Sequence, residues 1–96
     1  MRNTQNQFEF TGVILREGRL FASLCLELDV ASQGTSPIEA RKMLAEAVTL
    51  YLETCFEAGI PYLRPVPKEE DPRVQEPENL VETFPLKVEF EVHAVA

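Results

Sequence analysis

Glu27 and Asp29 place two carboxylates at i, i+2 within the apolar stretch Leu26-Glu-Leu-Asp-Val-Ala31. On an extended strand that spacing turns both to one face, as a metal-dependent nuclease needs to hold a divalent cation. A two-metal site wants further acids converging from other elements, and Glu9 and Glu39 are the obvious additions. His93, the single histidine, can be drawn with Asp29 and either Ser23 or Ser32 as a hydrolytic triad, but neither serine sits in a nucleophile elbow. A lone histidine on an alternating strand reads more simply as a surface residue. Cys25 and Cys55 are far apart, without Cys-x-x-Cys spacing, so zinc is not indicated. They read as two buried thiols in a reducing compartment, with a disulfide as the alternative. No glycine-rich phosphate loop is present. These constellations point away from an enzyme and toward a binding module that uses neither a metal nor a cofactor.

The elements that would position these residues are organised around Ser32-Gln-Gly-Thr-Ser-Pro-Ile-Glu-Ala40. Gly34 offers a turn without a Cβ penalty, Ser36 an N-cap, Pro37 a first helical residue with no donor to lose, and Glu39 the far end of a capping box. A helix is predicted from Pro37 to about Ala58. Ala40, Leu44, Ala47, Val48, Tyr51 and Cys55 form its apolar stripe, widened by Met43, Leu52 and Phe56. Gly59 suits a left-handed C′ position, and Pro61 forbids continuation. Upstream, Phe8–Arg16 and Leu20–Leu28 read as a hairpin about Gly18, and Val30–Gln33 as a third strand. Pro85–Ala96 has the cleanest alternation, with Leu86, Val88, Phe90, Val92 and Ala94 on one face and Lys87, Glu89, Glu91 and His93 on the other. The fold class is α+β, a β-β-β-α-β antiparallel sheet with one long helix packed on one face.

The expected division of this single domain is a polar N-terminal tail at 1–7, a βββα core at 8–60, a linker at 61–84 and a completing strand at 85–96. The net charge of −7 is uneven, because residues 68–82 alone carry −4. Five of the chain's seven prolines lie between Pro61 and Pro77, so this acidic segment reads as extended and mobile, with Tyr62, Leu63 and Val66 able to dock. Such acidity disfavours direct nucleic-acid binding. No apolar run is long enough to span a bilayer, and the polar start has no signal-peptide h-region. The expected location is cytoplasmic.

Particular residues resemble the HicB-like antitoxins of bacterial toxin–antitoxin pairs. These are Phe21-Ala22, Glu27-Leu28, Ser32-Gln33-Gly34, Ser36 with Glu39-Ala40, Glu46-Ala47, Tyr51-Leu52-Glu53 and the terminal Phe90-Glu91-Val92. The likeness spans about residues 8–58 and 85–96 and is to the short members that stop after the fourth strand. Three features depart from it: the Pro-Glu-Leu-Pro-Gly-Cys-like turn of the family is Leu26-Glu-Leu-Asp-Val-Ala31 here, the 61–84 linker is longer than the short members suggest, and the helix-turn-helix or ribbon-helix-helix segment of the larger members is not found. The resemblance implies a partial ribonuclease-H-like sheet and a protein that covers a small, basic, HicA-like RNA-cleaving toxin. Glu27, Asp29, Glu89 and Glu91 would then meet the toxin's basic face; as ordinary strand residues they would simply be solvated. The alternative function is a stand-alone oligomeric domain, structural or ligand-binding, with no toxin. Either way the small core and spare strand edge predict a homodimer, by edge pairing or strand exchange.

Overall fold

The capping residues, the glycines and the alternation of the last strand build four strands and one long helix. A computed structural model describes the backbone of residues 2–94 and the side chains of residues 7–90. The strands are β1 (Arg2–Glu17), β2 (Leu20–Cys25), β3 (Val30–Gly34) and β4 (Leu80–Ala94), and helix α1 spans Pro37–Ala58. All pairings are antiparallel in one four-stranded sheet of order β3-β2-β1-β4. The α+β architecture expected from the sequence is the one observed.

The start of α1 follows the capping chemistry with one change. Ser36 Oγ accepts from the Glu39 amide at 3.1 Å, but the Glu39 carboxylate reaches back past the cap to accept from the amide and hydroxyl of Thr35, at 2.7 and 3.2 Å. Gly34 does not supply a left-handed turn. It ends β3 where the helix arrives, and a Cβ there would lie 2.5 Å from the Ala40 amide nitrogen. Gly59 does take the left-handed conformation, with φ 68°. The amides of Gly59 and Ile60 donate to the carbonyls of Phe56 and Cys55, closing a Schellman motif. The buried stripe of α1 is Ala40, Leu44, Val48, Leu52 and Cys55.

On the helix-covered face, that stripe packs against Phe10, Ile14, Cys25, Leu28, Phe84, Leu86, Val88 and Phe90. At the end where α1 stops, Phe8 lies amid Phe10, Phe56, Tyr62 and Phe90, with ring centroids 5.7–6.1 Å away. Val13, Leu15 and Leu26 form a second buried cluster on the opposite face, joined by Ala22, Leu24, Val66 and Leu80.

That second cluster explains the segment after α1. The helix starts near Glu82 and ends near Phe90. Because β4 runs antiparallel to β1, the chain must travel back the length of the sheet before β4 begins beside Leu15. It does so on the uncovered face, where Val66 covers the apolar side chains of β1 and β2. Residues 61–79 are therefore a folded return, not an extended tether. They contain 3-10 turns at Lys68–Glu70 and Pro77–Asn79 and a one-turn helix, α2 (Pro72–Gln75). Asp71 caps α2, accepting from the Arg73 amide at 2.9 Å and from its guanidinium at 2.8 Å. The Arg73 guanidinium holds the Asp71 carboxyl below the usual carboxylate range. Prolines set the bends of this return, but its seat on the sheet is a long-range contact that composition does not encode.

Three other boundaries move. β1 begins at Arg2, within the segment read as a polar tail, because the backbone there pairs with β4 as far as Arg2 opposite Ala94. β4 begins at Leu80, before the expected strand start at Pro85. β2 ends at Cys25, where a turn through Leu26–Asp29 carries Leu28 to the helix-covered face while Leu26 stays on the other.

Candidate functional site

Glu27 and Asp29 both lie in this turn. Asp29 adopts φ 53°, a left-handed conformation that Asp tolerates better than most residues. The turn therefore breaks the strand spacing that would align Glu27 with Asp29. The Glu27 carboxylate points back to β1, where one oxygen accepts from the Thr11 amide at 2.8 Å and the other from the Thr11 hydroxyl at 2.8 Å. With the Leu26 amide donating to the Thr11 carbonyl at 3.0 Å, it continues the pairing of β1 past the point where β2 leaves. The return segment locks the same turn from outside. The Val66 and Arg64 amides donate to the carbonyls of Leu26 and Glu27, and Arg64 Nε donates to that of Leu28 at 3.2 Å. Glu27 is thus a structural acceptor already engaged on both oxygens.

The other acids do not converge on it. Asp29 is exposed, Glu39 is engaged by Thr35, and Glu9 lies opposite Lys87 in the β1–β4 ladder. Among the described residues no cluster of three His, Cys, Asp or Glu side chains could hold a metal ion. Glu89 is exposed on β4 opposite Gln7; Glu91 pairs by backbone with Gln5, and its side chain, like that of His93, lies outside the described residues. Ser23 is buried against the helix side with no partner for its hydroxyl, so it does not meet exposed Asp29 as a triad nucleophile would. No described helix is long and apolar enough to cross a membrane.

Cys25 and Cys55 are both free and both buried. Burial pushes the Cys25 thiol up to about 11, against an ordinary 9.0. Native protein at pH 8 is expected to resist a thiol reagent at both positions until denaturant is added. The unfolded chain loses its Cys25 proton first, so this contribution to stability is intact below about pH 9.0 and is lost as pH rises toward 11. Cys25→Ala should flatten that part of the alkaline stability curve, and an unchanged slope would contradict the assignment.

Among the described residues, one surface feature that the helical periodicity passes over could seat another molecule. A shallow groove of about 410 Å³ runs along one flank of α1, lined by Ala45, Glu46, Thr49, Leu50 and Glu53. Arg41 lies over the Phe84 ring at 4.4 Å and pairs with Glu82 at 3.0 Å, and Phe56 meets Phe90. Residues three and four apart share a helix face, so Ala45 and Thr49, between those contacts, flank the β4 side. Leu50 is 66% exposed at the outer lip, with Glu46 and Glu53 one turn to either side. In the sequence its only mark is an apolar residue two positions off the buried stripe. No family model matches the chain, and no curated protein or solved structure matches it.

Proposed function

We propose that the protein is a sequestering module that binds a small basic protein along the outer flank of α1, as an antitoxin of the HicB-like kind covers an RNA-cleaving toxin. The observation that supports this reading is the groove at Leu50, an exposed apolar anchor between two carboxylates on a chain of net charge −7. An apolar centre with a charged rim is the usual anatomy of a protein–protein contact, and the acidic rim selects a basic partner and speeds encounter. Of the acids first considered, none lines this groove: Glu27 is held by Thr11, Asp29 lies exposed in the turn after β2, and Glu89 is exposed on the sheet face away from α1. The role requires surface complementarity and no nucleophile.

The test is to express the small basic protein encoded beside this chain, with and without it, and to follow cellular RNA and growth. The chain is expected to protect RNA, and Leu50→Arg to abolish protection while the purified variant keeps its circular dichroism. Absence of such a neighbour, or RNA cleaved equally with and without the chain, overturns the reading.

A further inference from the structure

The order β3-β2-β1-β4 leaves the outer side of β4 unpaired along a strand of 15 residues, whereas the opposite edge, β3, has five. A long bare edge is a template for another strand, and soluble proteins commonly blunt one with inward-pointing charges, bulges or a covering loop. Between Phe84 and Phe90 β4 has no inward charge: Phe84, Leu86, Val88 and Phe90 are buried beneath α1, and Lys87 and Glu89 are exposed on the other face. Its one register irregularity lies further up, beside Ile14 and Leu15. Pro85 sets the phase of the edge, because a proline in a sheet turns its missing donor outward. Pro85, Lys87 and Glu89 therefore direct their backbone groups away from β1, and the residues between them bond to it.

We propose that β4 pairs antiparallel with β4 of a second copy of this chain, about a two-fold axis at Val88. In that register Lys87 faces Glu89 of the second copy, Glu89 faces Lys87 of the second copy, and each such pair exchanges both backbone hydrogen bonds. Val88 meets its own equivalent, and Leu86 meets Phe90 on the helix-covered face. Moving the axis one residue either way sets Lys87 against Lys87 or Glu89 against Glu89, which is unfavourable for directly opposed strand residues. Within its own sheet Glu89 lies opposite uncharged Gln7, so the second copy's lysine supplies the cation that position lacks. The seam is isologous and continues the sheet, with both α1 helices on one side and a Leu50 groove on each flank of the axis. It stands independently of the toxin reading.

Light scattering after size exclusion tests it at micromolar concentration. The wild type should elute at twice the 10.9 kDa chain mass. Glu89→Lys, which faces only Gln7 within its own sheet, should weaken the dimer roughly tenfold or more. Adding Lys87→Glu to it, in a Glu9→Gln background so that the new carboxylate meets no like charge within its own sheet, should restore the dimer, because the swapped charges again face each other across the axis. Circular dichroism of each variant reports that the fold survives. A wild-type monomer, a dimer indifferent to Glu89→Lys, or a charge-swapped variant no tighter than Glu89→Lys overturns the proposal, and indifference to charge is what strand exchange would give.

Discussion

Gly12→Ala is expected to destabilise the chain by about 1–3 kcal/mol, although alanine is ordinarily the better residue in a strand. Gly12 sits on the helix-covered side of β1 directly opposite Phe84, and the Phe84 ring lies flat over the space a side chain would take. A Cβ at Gly12 would stand 2.3–2.7 Å from three ring carbons. The ring is held from above as well: Arg41 covers it at 4.4 Å and is itself fixed to Glu82 at 3.0 Å. Phe84 is only 6% exposed, so yielding means breaking a packed contact. The entropy that alanine removes from the unfolded chain is worth about 0.4–1 kcal/mol, less than the overpacking. In a domain of this size each kcal/mol shifts Tm by about 4–8 °C, so thermal or urea unfolding resolves the effect. Phe84→Leu combined with Gly12→Ala should cost less than the sum of the two singles, since the smaller residue vacates the space. A Gly12→Ala protein as stable as wild type would show that the ring does not need the glycine.

What the sequence made legible were features whose causes are local. Ser36, Pro37 and Glu39 specify a helix start, Gly59 and Pro61 its end, and the alternation from Phe84 to Phe90 a strand with one buried face. What it hid depends on distant partners. Gly34 looks like a turn glycine because glycine usually serves turns; its reason is the helix backbone that arrives against it from Glu39 and Ala40. Leu20 to Leu28 alternates faultlessly, yet the strand stops at Cys25 because Asp29 can turn left-handed and Thr11 offers Glu27 a partner. The proline-rich segment has the composition of a mobile tether, and the direction of β4 makes it a return path seated on Val13, Leu15 and Leu26. Leu50, the anchor of the candidate groove, carried no motif at all, only an apolar side chain on the wrong side of its helix.

Glu27→Ala is expected to cost about 2–3 kcal/mol, a large share of the stability of so small a domain. Both carboxylate oxygens accept hydrogen bonds from Thr11, and truncation leaves the Thr11 amide with no acceptor at a part-buried position. Bonds to an ionised acceptor are the stronger kind, and an orphaned backbone donor adds its own desolvation cost. The damage should spread, because the same turn receives the amides of Arg64 and Val66, through which the return segment is seated. Glu27→Gln keeps one oxygen for the Thr11 amide and a donor for its hydroxyl oxygen, so about 1 kcal/mol is expected there. Hydrogen exchange separates this role from that of a surface charge. Protection should fall at the amides of Thr11, Arg64 and Val66 in Glu27→Ala before it falls across the sheet, and Asp29→Asn, which removes an exposed charge but keeps a residue that tolerates the left-handed turn, should leave all three unchanged. Were Glu27 chiefly a contact for a basic partner, Glu27→Ala would keep full stability and lose binding alone; a turn that serves as a joint between strand, helix face and return segment predicts the reverse.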